Sequence, residues 1–176
     1  LSVYLADKVI YMLPEHIINL FSLKAGKTSL TLSVGIKLSE KGEIIDYIVS
    51  RALINPNYNL TYIEADELID YCPDQEEELF ILSQLMELRR KWREENGAIF
   101  LEQPQGRLKI KDNKQVLEIS EHTNSKQLVS ESMILLGTVI AFYASENNIP
   151  VPYRSQGKSI KSINQPLLNS NILAVK

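Results

Sequence analysis

The side chains able to do chemistry in this chain are few and poorly grouped. His16 and His122 lie 106 positions apart, and neither has a Cys, Asp or Glu at a metal-ligand spacing, so both read as surface or packing residues. Cys72 sits beside Pro73 in an acidic stretch, an environment that does not lower a thiol pKa, so it is not expected to be a nucleophile. Nucleophile elbows, P-loops and dinucleotide fingerprints are absent. An acidic belt comprises Glu64, Asp66, Glu67, Asp70, Asp74, Glu76, Glu77 and Glu78. Successive carboxylates on a helix point in different directions, so the belt reads as helix-start charge on a solvated face rather than as a metal site. In the basic cluster Arg89, Arg90, Lys91 and Arg93, only Arg89 and Arg93 share a helix face, either for phosphate contact or as a solvated surface. Glu131 opens the most apolar helix of the chain. It is either a buried carboxylate that needs a partner or a helix-start charge favoured by the macrodipole. No complete catalytic constellation and no metal-ligand set is present in these residues.

The elements that must position them belong to ordinary globular protein. With 176 residues, 44% of them apolar and 23% charged, the chain suits one domain or a large piece of one. A net charge of −3 gives no general attraction to nucleic acid or anionic membrane, so such contacts must come from local patches. The single cysteine excludes an internal disulfide framework and makes a reducing interior the simpler assumption. The longest apolar run, from Met133 to Tyr143, falls short of the ~20 residues of a membrane span. A start at Leu1, without a leader, reads as an excised internal piece.

Ser2 to Pro14 has no clear period and reads as loop, followed by a short helix reaching Phe21 with Pro14 at its start. Leu30, Leu32, Val34 and Ile36 alternate with smaller or polar residues at a period of two, and a turn at Glu40-Lys41-Gly42 leads into a second strand from Glu43 to Ala52. This predicts an antiparallel hairpin. Thr61 and Glu64 have capping-box spacing ahead of a helix over 62–70. Asp74 and Glu77 can cap a longer helix, ending near Gly97, with an expected buried stripe of Ile81, Leu82, Leu85, Leu88 and Trp92. Three short strands, Ala98 to Leu101, Arg107 to Lys111 and Gln115 to Ser120, are predicted as a meander, the last two joined at Asp112-Asn113. Asn124 or Ser125 then caps a helix over 126–146 whose middle is apolar nearly all round and is therefore expected to be buried centrally. The resulting class is α+β, with antiparallel β-strands, short helices and one long buried helix, since nothing repeats as βαβ units.

Several segments, in order, resemble one family. Ser2-Val3-Tyr4-Leu5-Ala6-Asp7, Met12-Leu13-Pro14-Glu15, Leu60-Thr61-Tyr62, Leu88-Arg89-Arg90 and Gly97-Ala98-Ile99 are followed by Glu131-Ser132-Met133-Ile134-Leu135 and Asn148-Ile149-Pro150-Val151-Pro152-Tyr153-Arg154. Their order and spacing are similar to those of the exoribonuclease II / ribonuclease R (RNB) catalytic domain, and the last motif looks closest to cyanobacterial and plastid members. The resemblance covers residues 1–156, the middle portion of such a domain, with 157–176 as an unassigned tail. It implies a processive, hydrolytic 3′ to 5′ exoribonuclease that degrades single-stranded RNA to nucleoside 5′-monophosphates. It also implies Mg²⁺ held by aspartates upstream of this chain, an arginine motif downstream of it, and a cytoplasmic or plastid setting without membrane association. No catalytic residue is then expected within the chain itself, and the piece alone should be inactive.

By the same resemblance Tyr4 and Tyr62 stack on RNA, Leu101 stands where the family has a base-stacking Phe, and Arg89 and Glu131 contribute to RNA binding. Phe100, next to Leu101 in an extended segment, should face the core. Two other classes stay open: a non-catalytic RNA-binding or regulatory module of the same fold, and an unrelated interaction domain, which buried and widely separated Tyr4 and Tyr62 would favour.

Overall fold

A computed structural model describes residues 2–74, 77–100, 105–111, 114–120 and 122–155. In chain order its elements are β1 (Val3–Tyr4), β2 (Val9–Ile10), α1 (Glu15–Phe21), β3 (Ser29–Leu38), β4 (Ile44–Ile54), α2 (Tyr62–Tyr71), α3 (Glu77–Glu95), β5 (Gln105–Lys111), β6 (Lys114–Ser120) and α4 (Asn124–Glu146). The strands form three separate antiparallel pairs, β1 with β2, β3 with β4 and β5 with β6. The α+β class with antiparallel pairing is as the sequence predicts.

The period-two run folds as the long hairpin, with Leu30 opposite Leu53 and Ile36 opposite Tyr47, and a register shift next to the turn between Lys37 and Leu38. Alternation gives the hairpin one apolar face. Near the turn that face is covered: Ile36, Leu38 and Ile44 pack with Leu79 and Phe80 of α3 against a cluster of Ile69, Met86, Leu128 and Leu135. Burying each such side chain contributes on the order of 2 kcal/mol, which makes this cluster the main store of stability. At the far end Leu30, Leu32 and Leu53 stay exposed.

Helices α2, α3 and α4 pack on one another. The capping box of α2 forms as its spacing predicts: Glu64 N–H donates to Thr61 Oγ1, and Thr61 N–H donates to Glu64 Oε2 at 2.7 Å. These bonds from Thr61 hold the Glu64 carboxyl below the usual carboxylate range. Helix α4 buries Ser125, Leu128, Glu131, Leu135 and Val139 at three- and four-residue spacing, and Ala144 five residues further on. Its interior is therefore one face, not the whole circumference: Met133, Ile134 and Phe142 are exposed. By length and composition alone this 23-residue helix could cross a membrane, more than its central apolar run suggests. Its packed face and the buried Glu131 at that face mark it as a core helix instead.

Three sequence expectations give way. Residues 2–14 are not all loop, because Val3 pairs with Ile10 and Tyr4 with Val9, a pair too short to show any period. Ala98 to Phe100 form no strand, so the expected three-stranded meander reduces to the β5–β6 hairpin; Leu101 and the turn residues Asp112 and Asn113 lie outside the described residues. The expected stripe of α3 is covered only at its end, where Leu88 and Trp92 are half-buried. Ile81, Leu82 and Leu85 are exposed, while Met86 and Arg89 are the buried residues of that helix.

Candidate nucleic-acid interface

Two polar clusters flank the helical layer. The first joins the starts of α2 and α4. Ser125 donates its Oγ–H to the Tyr62 carbonyl (3.0 Å) and its backbone N–H to Asp66 Oδ1 (2.8 Å). Asp66 thus satisfies one of the orphan N–H groups of α4 from a neighbouring helix. The N-cap of α4 is Thr123, which makes no side-chain cap bond, so the expected capping by Asn124 or Ser125 gives way to this cross-helix cap. Burial alone would push the Asp66 carboxyl up, but the bonds from Ser125 and Thr123 and the nearby Lys126 charge outweigh it and hold Asp66 below the usual carboxylate range. The ring of Tyr62 projects from this junction, 48% exposed. Lys126 Nζ stands 5.8 Å from the centre of that ring.

The second cluster lies between α3, α4 and the β3–β4 turn. Arg93 Nη1 donates to both oxygens of Glu131, at 2.6 and 2.8 Å, and the Glu131 side chain is almost fully buried. Of the two readings of Glu131, the structure realises the buried carboxylate with a partner. Arg89 is 4% exposed, donates from Nη1 to the Gly42 carbonyl (2.7 Å) and stacks over Trp92 at 4.1 Å. Burial, with the neighbouring Arg93 charge, lowers its pKa from the ordinary arginine value. Arg89 and Arg93 do share a face, as their spacing predicts, and that face is turned inward. Arg90 bonds Gln127 and covers the ring of half-buried Phe100 at 4.6 Å, with Arg93 at 5.3 Å from the same ring. Phe100 is thus half-buried under two guanidinium planes, outside the hydrophobic cluster around Met86.

Gly42 makes this docking possible. Its φ of +83° is unfavourable for side-chain-bearing residues, and a Cβ there would come within 2.9 Å of the Leu88 carbonyl oxygen and 3.2 Å of Trp92 Cβ. Trp92 Nε1 also donates to Glu43 Oε1 at 3.3 Å, so α3 holds two adjacent residues of the turn.

Tyr4 sits apart from these clusters on β1, 66% exposed. Its strand pair is tied to β5 by the Ile110 N–H donating to the Ala6 carbonyl at 3.0 Å. Leu101 lies outside the described residues. His16 and His122 are both exposed, and Cys72 closes α2 in a left-handed backbone conformation. Among the described residues no three His, Cys, Asp or Glu side chains converge as a metal site, and Glu76 of the acidic belt is not among them. A cleft of about 700 Å³ between α2, α3 and α4 mixes Arg90 and Lys91 with Asp70, Glu87 and Glu94, and Lys91 pairs with Glu87 at 2.9 Å, so it carries no single-signed field. Sequence reasoning passed over Ser125 as an inter-helix tie and Lys126 altogether. Only the helix-start position of both hinted at them.

The fold is one known from solved structures. It is shared with RNase R of Mycoplasma genitalium solved with ribose-methylated single-stranded RNA, at a TM-score of 0.78 and 20% identity, over 87% of this chain and 25% of that one. The same enzyme with double-stranded RNA gives 0.76 and 21%, over 87% and 29% of the two chains. The chain belongs to the RNB domain family, whose model matches residues 1–172. It is 34% identical to an uncharacterized ribonuclease of Synechocystis over 88% of this chain and 24% of that protein. It is also 34% identical to the chloroplastic/mitochondrial ribonuclease II of Arabidopsis thaliana, over 90% and 20% of the two chains. The chain thus spans a fifth to a quarter of the length of these relatives.

Proposed function

We propose that this chain is the middle portion of an RNB catalytic domain, with residues 157–176 part of the same domain, in a parent protein that degrades single-stranded RNA hydrolytically and processively from the 3′ end to nucleoside 5′-monophosphates. The observation that carries the reading is the family match over residues 1–172, joined to an exposed aromatic ring beside a cation at the start of two helices. Aromatic faces stack on bases of any sequence, which suits an enzyme that moves along a strand. In this reading Tyr4 and Tyr62 are the stacking contacts, and Leu101 offers a base contact area without a π-face. Arg89 and Glu131 serve the RNA path through the scaffold they brace, Arg89 by seating the β3–β4 turn on α3 and Glu131 by tying α4 to α3 through Arg93.

Hydrolysis by this family calls for a divalent ion, and Mg²⁺ is the one expected in the parent. The described residues do not fit such an ion, since their carboxylates are spread along helices or engaged as caps and ion pairs. Metal-activated water and phosphate neutralisation are therefore assigned to residues outside this chain. We assign the parent to the cytoplasm, with a plastid as the alternative, a reading that its cyanobacterial and chloroplastic/mitochondrial relatives support.

The test pairs two samples incubated with labelled single-stranded RNA and Mg²⁺. The parent should release monophosphates from the 3′ end and stop when the metal is chelated, while the 176-residue chain alone should release none. Binding without release by the parent would replace this reading with a non-catalytic RNA-binding module. Metal-dependent release by the isolated chain would refute the assignment of the chemistry to residues outside it.

A further inference from the structure

We infer that Lys126 is a phosphate contact of the nucleotide that stacks on Tyr62, and that the Ser125–Asp66 tie sets the distance between the two. The inference rests on the stacking role proposed for Tyr62.

Lys126 follows Ser125 in the first turn of α4, and Tyr62 opens α2. These helices come from chain segments far apart in sequence, so their starts could drift relative to one another. They are held by two bonds from one residue: Ser125 Oγ–H to the Tyr62 carbonyl and Ser125 N–H to Asp66 Oδ1. The Tyr62 backbone is therefore fixed to the residue that precedes Lys126. The ammonium lies over the Tyr62 ring, 5.8 Å from its centre. Tyr62 is half open to solvent and Lys126 is partly so, which leaves room for a base on the ring and a phosphate at the ammonium.

Chemistry favours an anion at this place. The N-termini of two helices meet there, each adding partial positive charge, and Asp66, a carboxylate at this junction that also feels the Lys126 charge, accepts the Ser125 N–H. A lysine is a compact, mobile point charge, and such a group grips a phosphate without reading the base. With an overall charge of −3 the chain offers RNA no general attraction, so contacts must come from local cations.

The experiment measures affinity of the full-length parent for single-stranded RNA across a salt series. Lys126→Gln should weaken binding at low salt and reduce the slope of log K against log salt by about 0.7, one released counterion on a single strand. Lys126→Arg should restore the slope, which separates charge from folding. Tyr62→Ala should weaken binding while leaving the slope unchanged. If Tyr62→Ala acts as described but Lys126→Gln leaves the slope intact, Lys126 is no phosphate contact. If neither variant changes binding while thermal melting of both matches wild type, the stacking role of Tyr62 itself fails.

Discussion

The helical layer with the turn end of the β3–β4 hairpin, and the strand pairs β1–β2 and β5–β6, solve the problem of burial in opposite ways. In the first region α2, α3 and α4 cover one another and the near end of the hairpin, and each junction carries a polar tie: Arg89 to Gly42, Arg93 to Glu131 and Ser125 to Asp66. In the second, Val3, Ile10, Tyr11, Met12, Leu108, Leu117 and Ile119 are exposed, and the link between the pairs is a backbone bond from Ile110 to Ala6. Two-stranded pairs are marginal by themselves. The comparison teaches that Tyr62 stands on a part of the fold with its own core, whereas Tyr4 stands on a part whose apolar surface is left exposed among the described residues. Substitutions within the ties should therefore act on stability. Substitutions at the two tyrosines should act on RNA.

The strongest break of this contrast comes at Gly42. Gly42→Ala places a Cβ at a positive φ and against the Leu88 carbonyl, adding backbone strain of about 1–2 kcal/mol to overpacking of about 1–3 kcal/mol. Chemical denaturation of the parent should show a lowered midpoint with a total loss of about 2–5 kcal/mol. A loss under half a kcal/mol would mean that the turn does not dock on α3.

Next in size is the ion pair. Glu131→Gln leaves Arg93 with a neutral acceptor and should cost about 3 kcal/mol or less, because Arg93 is still partly in water. Replacing both partners, Arg93→Met with Glu131→Leu, should recover much of that loss. A double variant as unstable as the sum of the two singles would show that the pair is not coupled.

These ties also mark the limit of what the sequence discloses. Local signals survive folding intact: the period of two in β3, the Thr61–Glu64 capping box and the long run of α4 all appear at their predicted places. They are legible because each is satisfied within its own element. What fails is whatever depends on a partner from elsewhere. The stripe Ile81-Leu82-Leu85 promised the buried face of α3, yet Arg89 and Arg93 take that side by bonding a turn carbonyl and a carboxylate of α4. Pattern reading ranks arginine as surface, and only tertiary partners reverse the ranking. The Asp66 cap of α4 was hidden in an acidic belt for the same reason. Of the candidate RNA residues, Tyr4 and Tyr62 follow from collinear motifs. Leu101 lies outside the described residues.

A smaller effect is expected at the tyrosines, and it sharpens the contrast instead of breaking it. Tyr62→Ala and Tyr4→Ala should each weaken binding of single-stranded RNA by the parent, by about 1–3 kcal/mol per stacked base. Both rings are open, so neither substitution should shift the melting temperature. A shifted melting temperature with unchanged affinity at either position would make that tyrosine a packing residue.

The smallest effect tests how far the self-contained region extends. Tyr47 of β4 donates its phenol hydroxyl in a short bond to the Glu146 carboxylate at the end of α4, bracing the hairpin against that helix. The bond to Glu146 is the main reason that the phenol is pushed up to about 12, with burial and the charges of Glu146, Tyr143 and Asp46 adding to it. A raised value means that the folded state favours the protonated phenol. The brace is then at full strength below the ordinary tyrosine value near 10 and is lost as pH rises through about 12. The contact is open to water, so its share of stability is small. Absorbance titration of the parent should show one late-ionising tyrosine that disappears in Tyr47→Phe and titrates near 10 in Glu146→Gln. The small difference in denaturation midpoint between wild type and Tyr47→Phe should be present at neutral pH and vanish in strong alkali. A late tyrosine that persists in Glu146→Gln would place the cause in the hairpin alone, and the hairpin would then have no brace on the end of α4.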